Sequence, residues 1–190
     1  MLVSAPMAPQ GGEADATARE YLRALCRKYG AGEDAEGDIE ELLALVKPKR
    51  AEAGEVLARE GDAAEGAFLV VWGRLRASVR VGLDDEKRER VVNEALEGEI
   101  IGEAGIFMTG ARRSATLTAA APTTYLVLGR ELFRASATNP AVIATEQHLL
   151  RTLVRRIANT DALVTRAWRE AAPGGRSALD GLSMLLGGGA

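Results

Sequence analysis

The chain has 190 residues, a formal net charge of -3 and a pI near 5.4. This length fits one domain with additions, and the slightly acidic balance lacks the concentrated positive field on which non-specific nucleic-acid binding rests. The single cysteine, Cys26, excludes an internal disulfide, and no apolar run is long enough to span a bilayer. We therefore expect a cytoplasmic protein without a membrane segment or a secretory signal.

Two amphipathic helices are predicted in the N-terminal part. Residues 1–12 carry Pro, Gly, Ser and Gln without periodicity, which is typical of a flexible leader. Apolar side chains then recur at helical spacing over residues 13–29, and Gly30 follows as a stop signal. A second helix is expected to run to Val46, with Asp38 as its N-cap and a proline just beyond its end.

The following stretch changes from helical periodicity to short alternating segments with Gly and Asp between them. Such a pattern indicates strands joined by tight turns. Many short strands of this kind favour a closed roll or a sandwich. The predicted strands are 67–72, 75–81, 88–96 and 116–128, with a polar hairpin tip at 82–87.

One long helix is predicted from residue 138 onward. Thr138 or Asn139 is expected to cap it, with Pro140 in its first turn. A helix of this length usually packs on something outside its own domain, so we expect a second copy of the chain against it. Its apolar positions, spaced by about three and four residues, are Leu149, Leu150, Leu153, Val154, Ile157, Leu163, Val164 and Trp168.

The candidate site lies in residues 98–116, called the cassette below. Glycines there let a backbone turn approach an anion with its N–H groups. Glu103 stands in the same turn, where a carboxylate suits a ribose hydroxyl better than a phosphate. Ten positions later Arg113 offers a planar, permanently charged group matched to phosphate oxygens, and Ser114 adds a hydroxyl and an N–H. One ligand with both a ribose and a phosphate would satisfy both ends.

The cassette resembles the phosphate-binding cassette of the cyclic-nucleotide-binding domain, the Crp/Fnr and protein-kinase-A regulatory family. Upstream, Ala-Gly-Glu-Val at 53–56 and Glu-Gly-Asp at 60–62 are similar to the opening of that β-roll, and the resemblance covers about residues 38–168. It implies an α+β, mainly β fold: a cyclic-nucleotide-binding β-roll (double-stranded β-helix or jelly roll) flanked by N-terminal helices and a long C-terminal helix. The matching residues are Gly102, Glu103, Arg113, Ser114, Ala115 and Thr116.

The expected organisation follows from the helical and strand patterns together with the resemblance. The N-terminal helices occupy 13–48, the β-roll 49–137 and the long helix 138–170. The tail, 171–190, contains an apolar island at 179–186 that is either a docking peptide or a segment without fixed structure.

The resemblance also implies roles for individual residues. Glu103 accepts the ribose 2′-OH and Arg113 neutralises the cyclic phosphate, with Arg112 as an alternative because the family often has proline before the arginine. Glu103 and Arg113 would otherwise form a structural salt bridge in a roll that has lost its ligand. The full set expected at the ligand comprises Gly102, Glu103, Ala104, Arg113, Ser114 and Ala115 of the cassette, Val92 against the base, Arg156 bracing Glu103, and Thr160 at the base edge.

The predicted protein is a sensor and not an enzyme, with no cofactor. Its ligand is cyclic AMP, or less favourably cyclic GMP, on the strength of Thr160 alone. We expect an unidentified protein partner, a homodimer through the long helix and no direct DNA binding, because a helix-turn-helix domain does not follow that helix. The alternative is a scaffolding protein whose roll binds no nucleotide. His148, the only histidine, is expected on the helix surface.

Overall fold

The computed structural model describes residues 11–31, 35–81 and 88–171. The predicted hairpin tip at 82–87, most of the leader and all but the first residue of the predicted tail lie outside these ranges. The helices are α1 (Gly11–Lys28), α2 (Glu36–Leu45), α3 (Ala104–Phe107), α4 (Arg130–Ala135) and α5 (Pro140–Ala171). The strands are β1 (Lys49–Ala51), β2 (Val56–Ala58), β3 (Gly66–Trp72), β4 (Arg74–Val81), β5 (Arg88–Leu96), β6 (Ile100–Ile101), β7 (Thr116–Ala119) and β8 (Thr123–Gly129).

Two four-stranded sheets form the roll. One has the order β1-β8-β3-β6 and the other β2-β7-β4-β5, and all the strand pairs are antiparallel. The roll has an apolar core to which both sheets contribute. It contains alternate side chains of β3 and β8, among them Phe68, Val70 and Tyr125, together with Leu75 and Leu117 of the second sheet. The predicted mainly β jelly roll with flanking helices is confirmed.

Strand β3 is buried on both faces, because α1 contacts the side that faces away from the core. The side chains of Phe68 and Val70 enter the roll, whereas Leu69 and Val71 lie on the other side and are equally buried. This explains why β3 appears in the sequence as a continuous apolar run without alternation.

The long helix begins as predicted, and Asn139 is its cap. The Oδ1 atom of Asn139 accepts hydrogen bonds from the backbone N–H groups of Ala141 (2.9 Å) and Val142 (3.1 Å). The chain divides into two compact units, one ending at Leu149 and the other beginning at Leu150, so α5 contributes to both. No described helix is long and apolar enough to cross a membrane.

Several local expectations were wrong. Asp38 does not cap α2, since this helix begins at Glu36 and has Ala35 at its N-cap position without a side-chain bond; Asp38 lies in the first turn, where its charge suits the helix dipole. The strand expected over 116–128 is two strands, β7 and β8, separated by a turn. Strands β1 and β6 and helices α3 and α4 were missed because two to six residues are too few to display a period.

Candidate functional site

The first half of the cassette turns sharply at Gly102 and enters α3. Gly102 has a φ of +82°, a conformation that side-chain-bearing residues rarely adopt. Helix α3 then packs so closely on β3 that a Cβ at Gly105 would lie 2.7 Å from backbone atoms of Gly66. The backbone here is therefore fixed by contact with the roll, and Glu103 stands at the start of the short helix.

The second half of the cassette is held to the loop before β3 by backbone hydrogen bonds. The Arg113 N–H donates to the Asp62 carbonyl and the Gly61 N–H donates to the Arg113 carbonyl, both at 2.8 Å. The Ala64 N–H donates to the Ala111 carbonyl at 2.9 Å. Both backbone groups of Arg113 are thus satisfied, and the direction of its side chain is set by the loop.

The side chain of Arg113 joins the two halves. Its Nη1 donates to the Gly102 carbonyl at 3.3 Å, and its guanidinium carbon lies 4.8 Å from the centroid of the Phe68 ring. A Cβ at Gly102 would lie 2.5 Å from that Nη1, so only glycine leaves room for the guanidinium. Residues eleven positions apart in sequence are therefore in direct contact.

The positive charge of the Arg113 guanidinium is not neutralised by a salt bridge within the described residues. Its Nε is buried without a hydrogen-bond partner in the described part of the chain, and no carboxylate described there forms a salt bridge with it. Burial lowers the pKa of Arg113, although the charges of Asp62 and Glu65 partly oppose the shift. An anion at this position would supply the missing counter-charge.

A cavity of about 590 Å³ opens beside Arg113. Phe68, Tyr125 and Val127 form an apolar part of its wall. Lys49 contributes a second cation, and Asp62, Glu65 and Glu131 contribute three carboxylates. Of the nine residues expected at the ligand, Arg113 is the one that lines this cavity.

The other predicted cassette residues surround the Gly102 turn. Glu103 and Ala104 are half-buried, and Ser114 is exposed directly after Arg113. Ala115 is half-buried and packs against the apolar core. Val92 lies on β5 beside a register irregularity in the β4–β5 pairing, with 56% of its surface exposed.

Arg156 and Thr160 lie on α5 within the second unit. Arg156 is half-buried and Thr160 is exposed. Their predicted contacts with Glu103 and with the base remain predictions.

The alternative arginine, Arg112, has a different environment. It is exposed, its backbone pairs with Ala63, and its Nη1 donates to the Gly61 carbonyl at 2.8 Å. Arg112 therefore braces the loop from outside, while Arg113 reaches Gly102. The geometry favours Arg113 as the anion-binding residue.

Sequence reasoning missed two residues that shape the cassette. Phe68, under the guanidinium, had a signal in its inward position on a buried strand. Arg130 donates through Nε to the Ile106 carbonyl (3.0 Å) and through Nη1 to the Thr109 hydroxyl (3.1 Å), and so holds the end of α3. No local sequence pattern predicted this role of Arg130, because its partners lie 24 and 21 residues away.

The expectation for His148 was wrong. It is half-buried, and its ring nitrogens lie within hydrogen-bond distance of Tyr21, Tyr29 and the Gly98 carbonyl. Helical spacing put His148 between the apolar positions of α5 and so suggested an exposed side chain. In the structure Tyr21 of α1 and the Gly98 turn cover it.

Comparisons with known proteins show similarity to cyclic-nucleotide-binding proteins. Residues 48–138 match the family model described as the cyclic nucleotide-binding domain. Lysophospholipase NTE1 of Candida albicans is 36% identical over 104 residues, which are 54% of this chain and 7% of that protein. The cAMP-activated global transcriptional regulator CRP of Pasteurella multocida is 29% identical over 110 residues, 57% of this chain and 50% of that protein. The chain thus matches half or less of the length of these relatives.

This chain is also similar in fold to a solved structure. The catabolite activator protein of Thermus thermophilus superposes with a TM-score of 0.53 and 26% identity, covering 67% of this chain and 57% of that one. The family match, together with the two-sheet roll, supports a cyclic-nucleotide-sensing module. The match to the cyclic nucleotide-binding domain is confined to residues 48–138 of this chain.

Proposed function

We propose that this chain binds a cyclic nucleotide, cyclic AMP in preference to cyclic GMP, and signals through protein contacts without catalysing a reaction. The observation that carries the proposal is the environment of Arg113. Its guanidinium is half-buried, has an unpartnered Nε within the described residues and lies against the Gly102 turn. A cyclic phosphate would replace the weak 3.3 Å contact with the Gly102 carbonyl by a charge-assisted one.

The remaining cassette residues have complementary roles in the proposal. Ser114 is exposed directly after Arg113, so its hydroxyl is accessible to a phosphate oxygen. Glu103 follows the Gly102 turn and would accept the ribose 2′-OH. Ala104 and Ala115 contribute backbone to the two sides of the cradle. A buried charge-assisted bond contributes about 1.5 to 3 kcal/mol, so loss of Arg113 should weaken binding by about one to two decades.

The base preference rests on residues outside the cassette. Val92 has an exposed apolar side chain on β5 that would pack on the base. Thr160 would donate to or accept from the base edge, and Arg156 would brace Glu103; both lie on α5. The name of the Pasteurella relative, a cAMP-activated regulator, supports cyclic AMP as the first ligand to test.

The output surface is proposed to be the second half of α5. Its apolar side chains are exposed and recur at intervals that suit a two-helix seam: Leu150, Val154, Ile157, Val164 and Trp168. Asp161 occupies the one intervening position of this stripe. We propose that two copies pair along this stripe and that an unidentified protein partner reads the resulting assembly.

Isothermal titration calorimetry of nucleotide-free protein with cyclic AMP and cyclic GMP tests the proposal. Arg113→Ala should weaken binding by about one to two decades. Arg112→Ala removes the neighbouring arginine, which faces the Gly61 carbonyl, and is the matched control that should bind as the wild type does. Failure of the folded wild type to bind either nucleotide, or equal losses in both variants, would refute the assignment.

A scaffolding role is the second candidate, favoured by one observation. Arg113 already joins Phe68 and Gly102 without a ligand, so it would strengthen an empty roll. This role predicts that Arg113→Ala lowers the melting temperature while cyclic nucleotides leave the wild-type melting temperature unchanged. The sensor role predicts ligand-dependent stabilisation that the variant loses.

A further inference from the structure

His148 on α5 meets three hydrogen-bonding groups from two other parts of the first unit. Its Nε2 lies 2.5 Å from the Gly98 carbonyl and 3.3 Å from the Tyr21 hydroxyl. Its Nδ1 lies 3.1 Å from the Tyr29 hydroxyl, and the Tyr29 ring meets the imidazole edge-on at 6.0 Å. Tyr21 belongs to α1 and Tyr29 directly follows the last residue of that helix, whereas Gly98 begins the cassette.

The Gly98 carbonyl determines which nitrogen of the imidazole carries the hydrogen. A carbonyl only accepts, so the Nε2 beside it carries the hydrogen and donates. In the neutral ring Nδ1 then accepts from the Tyr29 hydroxyl. Burial raises the pKa of Tyr21 above its usual range, which keeps the hydroxyl beside Nε2 protonated. The histidine thus donates to the cassette and accepts from Tyr29, the residue after α1.

A few backbone and side-chain contacts connect Gly98 to the guanidinium of Arg113. Gly98 has a φ of +79° and its N–H donates to the Val70 carbonyl at 2.8 Å. Three residues later Ile101 pairs with Phe68, the residue under Arg113, and Gly102 follows. Displacement of the Gly98 turn would therefore be transmitted to the position at which Arg113 meets the Gly102 carbonyl.

We propose that His148 is a positioning residue for the cassette, holding the Gly98 turn in place and connecting it through Tyr29 to α1. Its consequence for ligand binding rests on the proposed function, but the positioning itself does not. Loss of one such hydrogen bond corresponds to about a 3- to 10-fold change in a local opening equilibrium or in an affinity.

Three substitutions separate the two contacts. In His148→Gln the amide nitrogen occupies the position of Nε2 and keeps the donor to Gly98, while the contact with Tyr29 is lost. In His148→Asn the side-chain amide reaches the position of Nδ1 and keeps only the contact with Tyr29. His148→Phe keeps the ring and removes both. Tyr29→Phe is a fourth, milder variant at the partner residue. It removes one hydroxyl and leaves the packing in place.

The first measurement is hydrogen–deuterium exchange of nucleotide-free protein in peptides covering 97–103 and α1. We expect His148→Phe and His148→Asn to speed exchange at 97–103 by about 3- to 10-fold and His148→Gln to restore the wild-type rate there. His148→Gln and Tyr29→Phe should speed exchange at the C-terminal end of α1. Equal exchange at 97–103 in all variants, or failure of His148→Gln to rescue it, would overturn the proposal even if the protein binds no nucleotide.

The second measurement is the cyclic AMP affinity of the same variants. We expect about 3- to 10-fold weaker binding in His148→Phe and near wild-type binding in His148→Gln. If the wild type binds and His148→Phe binds equally well, the consequence of His148 for ligand binding is refuted while the proposed function stands. If the wild type does not bind, the proposed function fails and the exchange data alone decide the inference.

Discussion

Replacing Gly102 by alanine tests whether the observed position of Arg113 is the binding-competent one. At a φ of +82° an alanine costs about 1 to 2 kcal/mol through its own backbone. Its Cβ would lie 2.5 Å from Nη1 of Arg113, so the guanidinium must move by about 1 Å to reach an ordinary contact. That movement breaks the 3.3 Å bond to the Gly102 carbonyl, which is already near the limit of hydrogen-bond distance.

Gly54→Ala is the matched control for backbone strain. Gly54 has a φ of +88° and nothing within 4 Å of an added Cβ. Urea unfolding should show a loss of about 1 to 2 kcal/mol in the free energy of unfolding for Gly54→Ala and at least this loss for Gly102→Ala, which also breaks the bond of Arg113. Calorimetry with cyclic AMP should show binding weakened by about one to two decades in Gly102→Ala and unchanged in Gly54→Ala. Equal affinities in the two variants would refute the link between the Gly102 turn and the position of Arg113.

Three further predictions concern other parts of the chain. Ile157→Glu should shift sedimentation from dimer to monomer by placing charge on the apolar stripe of α5, whereas the neighbouring exposed Ala158→Glu should not. Asn139→Ala should lower the free energy of unfolding by about 1 kcal/mol, since two N–H groups lose their cap, while Thr138→Ala should have little effect. Burial raises the pKa of Tyr21, so its contribution to stability is complete below about pH 10 and is lost as the pH rises further; Tyr21→Phe should flatten this alkaline decline in urea titrations.

The fold could be predicted to a large extent because its signals are local. The amphipathic period of α1, the Asn139-Pro140 start of α5 and the apolar run of β3 each lie within one stretch of sequence. The shortest elements escaped because two to six residues are too few for a period to repeat clearly. The end of α1 at Lys28 followed from Gly30, whose φ of +70° is the conformation expected of a glycine stop.

The candidate site was predictable in composition but not in geometry. The order Gly102, Glu103, Arg113, Ser114 indicated a ribose and a phosphate through the chemistry of the side chains alone. The choice between Arg112 and Arg113 needed the structure, because both are arginines and only the pairing with the 61–64 loop directs one of them outward. Phe68 had only its inward position on a buried strand as a signal, and Arg130 had none, because its partners lie 24 and 21 residues away.

What the sequence by itself determined, then, is a closed roll or sandwich of short strands, a cassette and a long amphipathic helix, since periodicity and side-chain chemistry are properties of short segments. Tertiary structure alone decided which groups meet. The contact of Arg113 with Gly102 spans 11 residues, that of His148 with Gly98 spans 50, and that of His148 with Tyr21 spans 127. Such distances along the chain are closed only when the sheets and helices pack, and this packing turned an apparently superficial histidine into a link between α1 and the cassette.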